Sequence, residues 1–214
     1  MKYDQMLQNV KNERIHIAIA TAAELYLDVG IAETKMTDIA EECQLGVASL
    51  YRYFGTKQLF TVKAASHIWE MKIAELKDIC SSPEYEAKTG IDQMEALMSI
   101  FHTLLHHHAS FLRFLSEFEN FTIKERLSSE DLAEYRQSVL NAMPLVEKAM
   151  KKGIADGTVK CGIDQQLFYM TVVHCLMSIC QKFARKQILR PEDLQMSKKE
   201  LSLAIDMFLA YIRA

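Results

Sequence analysis

Apolar residues recur at three- and four-residue intervals along almost the whole chain, the spacing of amphipathic helices rather than strands. Ile15, Ala18, Ile19, Ala22, Ala23 and Leu25 predict a helix over 13–29, closed by Gly30. A long helix is predicted from Lys57 through Trp69, Ile73 and Leu76 to about Cys80, broken by Ser81-Ser82-Pro83. A loop then leads to Gly90. Met94, Leu97, Met98, Phe101, Leu104 and Leu105 mark a helix over 91–108. Phe111, Phe114, Leu115, Phe118 and Phe121 mark the next, with Ser110 as its cap. Ser129 caps a predicted helix over 130–152 that Pro144 should kink. After a loop over 153–162, Asp164 opens a helix to Arg190, stopped by Pro191. A last helix from about Ser197 carries Leu201, Ile205, Phe208, Leu209 and Ile212.

The stretch from Thr37 to Phe60 has a different grain. Thr37 suits the N-cap of a short helix with Ile39 and Ala40 inward. Gln44-Leu45-Gly46 makes a turn, and Val47 opens a second short helix whose Leu50 and Phe54 share a face. Gly55 is placed to end it, and Thr56 to cap a third helix. Helix, short turn, helix is the layout of a helix-turn-helix, with its second helix free for the DNA major groove.

Two late patterns say more than core. The helix from Asp164 is apolar nearly all round through residues 167–173, which expects burial on more than one side. The last helix has one long stripe. A four-helix bundle built by two such pairs across a two-fold axis accounts for both.

Composition narrows the fold class to all-α. Half of the 214 residues are apolar, prolines number only three, and the seven glycines fall between helical patterns. The N-terminal ten residues lack the apolar run of a signal peptide, and no transmembrane-length stretch is expected, so the reading is cytoplasmic. The five cysteines form no CxxC pair and are read as reduced. A redox role for Cys175 and Cys180 is weighed against small buried core residues, and the core reading is preferred. Charge runs against nucleic-acid binding: residues 1–63 hold seven Lys/Arg and eight Asp/Glu, a net of −1 in a chain of −3. Phosphates can still be met by hydroxyls and helix N-termini, which add no net charge.

Thr37, Ile39-Ala40, Leu45, the run Leu50-Tyr51-Arg52-Tyr53-Phe54 and Lys57, with the preceding helix and Gly30, resemble the signature of tetracycline-repressor (TetR) family regulators. The motif covers about the first 60 residues. It departs from the family where Gly46 stands for a usual Ser, and where Gln44 and Ala48 stand for common Gly. The resemblance implies a three-helix DNA-binding domain over 1–60 and a helical effector-binding and dimerisation domain over 61–214. It implies phosphate contacts by Thr37, Ser49, Tyr51, Tyr53 and Lys57, and approach to base edges by Val47, Ala48 and Arg52. It also implies a homodimer through the last two helices, reading a palindromic operator.

Flexible Met and flat Phe line adaptable ligand sites, and the chain has 12 Met. With the resemblance, this favours an apolar or amphipathic small effector that releases a repressor. Trp69, Met98, Phe101, Phe114, Phe118, Met143, Tyr169 and His174 are the candidate effector positions. Glu117 or Glu119 could orient a cationic group, or be solvated. His102 and His106, one turn apart, could meet one ion, but no nearby Cys or carboxylate completes a set, so no metal is expected. No cofactor is expected either. An enzyme lacks support: there is no Glu-x-x-His pair, phosphate loop or nucleophile with a base. The rival from another class is a helical protein-interaction module of the same fold with weak or no DNA binding.

Overall fold

The computed structural model describes residues 2–184 and 191–214, and within them places eleven α-helices and no strand. They are α1 (Lys2–Asp28), α2 (Met36–Glu42), α3 (Val47–Phe54), α4 (Lys57–Cys80), α5 (Pro83–Ala87), α6 (Gly90–His107), α7 (Ala109–Lys124), α8 (Ala133–Leu140), α9 (Met143–Ala155), α10 (Gln165–Ala184) and α11 (Pro191–Ile212). The chain divides into two compact units. The first is residues 1–72 with 116–140, and the second is 73–115 with 141–214. The boundaries fall inside α4 and α7 and between α8 and α9.

In the first unit, Ala18, Ala22, Ala23 and Tyr26 of α1 are buried with Ile39, Ala40, Leu50, Phe54 and Phe60. Phe54 stacks on Phe60 with ring centroids 4.1 Å apart, a pairing that adds about 0.5–1.5 kcal/mol to area burial. The Tyr26 hydroxyl is 3.0 Å from Thr61 Oγ1, and burial pushes its phenol up.

In the second unit, α6 packs against α9, α10 and α11, and α10 against α9 and α11. Burial follows the predicted stripes: Met94, Leu97, Met98, Phe101 and Leu105 on α6, and Leu201, Ile205, Leu209 and Ile212 on α11. Gly90 N–H donates to Asp156 Oδ2 and Ile91 N–H to Thr158 Oγ1, which ties the start of α6 to the loop after α9.

Several boundaries differ from the sequence reading, each for a local reason. The first helix begins at Lys2 rather than Glu13. Lys35, not Thr37, is the N-cap of α2. Its amide donates to Asp38 Oδ2 at 2.9 Å, while the Thr37 hydroxyl turns to Asp38 Oδ1. Before Gly90 the loop contains α5, capped by Ser82 and started by Pro83, where a missing N–H is harmless. Ser110 lies inside α7, because the break comes at His108. The helix expected over 130–152 is two, and Pro144 sits in the first turn of α9 instead of kinking a continuous helix. Gly153 lies inside α9 rather than between helices, whereas Gly90 stands at the first position of α6. The expected extension of the Asp164 helix to Arg190 lies outside the described residues beyond Ala184. Pro191 begins α11.

By length and apolarity alone α10 passes as a membrane span, contrary to the expectation of none. Its apolar side is occupied by α6, α9 and α11. The opposite side mixes Leu167 with Thr171, His174, Cys175, Ser178 and Lys182, a face unsuited to lipid. That helix also separates the two cysteines. Cys180 is buried, its thiol pushed up to about 12 by burial, with Sγ 3.5 Å from Phe101 O. Cys175, five residues earlier, emerges on the exposed face and is not a core residue.

Candidate nucleic-acid interface

The geometry of the helix-turn-helix follows from how α2 ends. Leu45 N–H donates to Ala40 O at 2.9 Å and Gln44 N–H to Glu41 O at 3.1 Å, the paired bonds of a Schellman C-cap. The residue between them must be left-handed, and Gln44 has φ 53°. Side chains disfavour that conformation by roughly 1–2 kcal/mol, whereas glycine does not. Gln44→Gly is therefore expected to raise stability by up to about 1 kcal/mol once glycine's chain entropy is subtracted, read as a shifted denaturation midpoint.

Gly46, in extended conformation, is the N-cap of α3, and its carbonyl accepts from Ser49 N–H at 2.8 Å. Gly55 closes α3 at φ 77°, donating to Tyr51 O at 2.9 Å. Thr56 caps α4 through Leu59 N–H at 3.1 Å. With Leu50 and Phe54 buried, α3 turns Ala48, Tyr51 and Arg52 to solvent, and Tyr51 is 45 % exposed. Val47, Ser49, Tyr53 and Lys57 are half-buried around them, and Thr37 is exposed at the start of α2.

Arg52 is not loose. Its Nη2 donates to Ser49 Oγ at 3.2 Å, and its guanidinium carbon lies 5.3 Å from the Tyr53 ring centroid. The Arg52 guanidinium, and Arg14 from α1, hold the Tyr53 phenol below the usual tyrosine range. Two cations and three hydroxyl-bearing side chains thus gather on α3 and α1. That local concentration supplies what the net charge of −1 hides. Arg14 escaped the sequence reading, since no local pattern brings a residue of α1 to α3.

Lys57 has a second engagement: Nζ donates to Thr34 O at 2.7 Å. An ammonium has three donors, so two remain for a phosphate.

The sequence profile described as bacterial regulatory proteins, tetR family, matches residues 18–60, the segment that builds this surface. The match makes this helix-turn-helix segment similar to the DNA-binding part of that family. No curated protein matches the chain in sequence. Solved structures match its fold over nearly full length. A TetR transcription regulator from Haloarcula marismortui is 13 % identical at TM-score 0.68, covering 95 % of this chain and 100 % of that one. The regulator FadR from Bacillus subtilis, solved in complex with stearoyl-CoA, is 16 % identical at TM-score 0.61, covering 89 % and 97 %. A ketosteroid transcriptional regulator of Mycobacterium tuberculosis is 16 % identical at TM-score 0.55, covering 95 % of each chain. The all-α fold with an N-terminal helix-turn-helix is that of TetR-family DNA-binding transcriptional regulators.

The candidate effector positions fall into different places. Trp69 and Phe118 lie in the first unit. There Trp69 Nε1 donates to Tyr135 OH at 3.0 Å, and the Phe118 ring is 4.6 Å from that of Tyr135. Burial pushes the Tyr135 phenol up to about 12. Met98, Phe101, Phe114 and Tyr169 are buried in the second unit, and Met143 is half-buried at the start of α9. Burial pushes the Tyr169 phenol up to about 12, so at neutral pH this group offers a neutral hydroxyl. His174 stands apart from them on the exposed face of α10. Glu117 and Glu119 are both exposed on α7, and Glu117 accepts from a backbone amide rather than facing a ligand.

His102 and His106 are half-buried, one turn apart near the end of α6. Burial, then the charge of Lys198, lowers the pKa of His102 and of His106, so both favour the neutral ring. A nearby ammonium also disfavours a metal cation, and no group of three ligating side chains occurs among the described residues.

Proposed function

We propose that this protein is a homodimeric repressor of the TetR family, released from a palindromic operator by a small apolar or amphipathic effector, acting in the cytoplasm and not as an enzyme. The observation that carries the DNA reading is the outward face of α3. Ala48, Tyr51 and Arg52 lie exposed on a helix anchored by Leu50 and Phe54. Ala48 and Arg52, with Val47, would approach base edges. Thr37, Ser49, Tyr51, Tyr53 and Lys57 would bind phosphates, which position the protein without reading sequence. The functional division is 1–60 for DNA and 61–214 for effector and dimer.

A second copy would cover the exposed side of α10 and α11. Leu167, Leu203, Met207 and Tyr211 are each more than half exposed there. Phe168 stacks on Tyr211 at 6.1 Å, so this face is continuous with the core rather than a set of stray apolar residues. A dimer paired two-fold through these helices would carry two recognition helices for a palindrome whose half-sites lie about 34–36 Å apart, one helical turn of DNA. Support for the effector class comes from the buried Met and Phe of the second unit, and from the acyl-CoA bound by FadR of Bacillus subtilis.

The test is selection from a random DNA pool with the full chain. An enriched palindrome, lost with Leu203→Glu when sedimentation shows that variant to be monomeric, is the expected result. Enrichment of nothing at low salt would sink the reading. It would favour the interaction module, to which the net −1 of residues 1–63 points.

A further inference from the structure

Residues 116–140 lie among the candidate effector positions in sequence, after Phe114 and before Met143, yet they belong to the compact unit that carries the helix-turn-helix. Four side-chain bonds hold them there. Glu117 Oε2 accepts from Ile31 N–H at 3.0 Å, Gln58 Nε2 donates to Glu125 Oε2 at 2.8 Å, Lys63 pairs with Glu134 at 2.8 Å, and Trp69 Nε1 donates to Tyr135 OH. Three of these grip α4. The fourth, from Glu117, reaches the turn between α1 and α2.

That turn is tightly determined. Gly30 is left-handed at φ 95°, and a Cβ there would lie 2.7 Å from Glu117 Oε2, so the carboxylate rests directly on the glycine. Thr34 is buried, and its hydroxyl donates to Gly30 O at 2.7 Å. Thr34 O in turn accepts from Lys57 Nζ. The turn is therefore braced through its Ile31 amide by α7 and through its Thr34 carbonyl by α4, immediately before α2 begins.

We infer that Glu117 is a positioning residue for operator binding: its carboxylate fixes the α1–α2 turn, and through it the pose of the helix-turn-helix. A carboxylate close to the C-terminal end of α1 opposes that helix's dipole, so general electrostatics does not favour it there. What it gains is the Ile31 amide. The placement also gives α7 a direct handle on DNA reading. Phe114, a candidate effector position, and Glu117 are three residues apart on one helix, an axial rise of about 4.5 Å. Because α7 is continuous from Phe114 to Glu117, a ligand that moved α7 at Phe114 would have a route through one helix to the carboxylate that holds the turn, and so to the two states an effector has to distinguish. This handle rests on the effector reading above; the bond to the turn does not.

The experiment compares Glu117→Ala and Glu117→Gln in the full-length chain. It measures binding to the selected duplex, amide exchange at Ile31 and thermal midpoint. Because Glu117 is exposed, both variants should keep the wild-type midpoint within about 2 °C. Expected are roughly tenfold weaker duplex binding and faster Ile31 exchange in Glu117→Ala, within the usual range of coupling between sites. Glu117→Gln retains an acceptor oxygen and should restore both readouts to within about twofold of wild type. Unchanged Ile31 exchange in Glu117→Ala, unchanged duplex binding, or a Gln variant as weak as the Ala variant would each overturn the inference. If the wild-type chain selects no duplex, the operator reading has failed instead, and Ile31 exchange alone decides whether Glu117 holds the turn.

Discussion

Gly90→Ala is expected to lower the thermal midpoint by roughly 6–12 °C. A Cβ at Gly90 would stand 2.0 Å from Gly153 N and 2.1 Å from Gly153 Cα, with Ala149 O at 2.9 Å. All three are backbone atoms of α9, so no rotamer change relieves the clash and the two helices must separate. Overpacking of this kind costs about 1–3 kcal/mol and sometimes more. The backbone obstruction puts Gly90→Ala at the upper end, and about 2–4 °C per kcal/mol applies to a chain of this size. Gly153→Ala provides the contrast. Its Cβ meets Val159 Cγ2 at 2.3 Å, a side chain, and Gly90 Cα at an ordinary 3.4 Å. Trimming Val159 to Ala should therefore recover part of the loss in Gly153→Ala and none in Gly90→Ala. Scanning calorimetry of the singles and doubles checks this. A Gly90→Ala midpoint within 2 °C of wild type would mean that α6 and α9 do not approach as closely as described.

Arg52→Ala should weaken binding to the selected operator by about 5- to 150-fold, the equivalent of about 1–3 kcal/mol for a bidentate base contact. The loss should concentrate on one base position, where the variant accepts any pair. Arg52 is held by Ser49 and lies over Tyr53, so its side chain is ordered before DNA arrives and less freedom is lost on docking. Lys57→Ala should instead weaken all sequences alike and flatten the salt dependence by about one ion, as expected of a phosphate contact. Titrations against the operator and single-base variants, at two salt concentrations, separate the two patterns. An Arg52→Ala protein that keeps its base preference while losing affinity uniformly would move Arg52 from base reading to phosphate contact.

The family resemblance was legible because its signals are local. Leu50 and Phe54 four residues apart, Gly55 at a left-handed stop and Thr56 as a cap each act within one helical turn. The structure reproduces all of them, and the family profile covers the same residues. Pro144 was ambiguous for a physical reason: proline is harmless in the first turn of a helix and disruptive within one, and only the break at Asn141-Ala142 tells which applies. Gly153 read as punctuation because glycine looks the same in a turn and at a helix crossing.

By itself the sequence determined the all-α class, the stripes that bury α6 and α11, and the helix-turn-helix anchored by Leu50 and Phe54; that Arg52 points outward came from the structure. Periodicity and capping are properties of neighbours along the chain, and they needed nothing else. Only the tertiary structure decided that residues 116–140 join the unit that carries the helix-turn-helix, that Arg14 comes beside Tyr53, that Glu117 holds Ile31, and that Cys175 faces outward while Cys180 is buried. Those facts depend on pairs up to 86 residues apart, or on which side of a uniformly apolar helix a neighbour occupies. Helical spacing fixes the faces a helix has; what each face meets is fixed by packing.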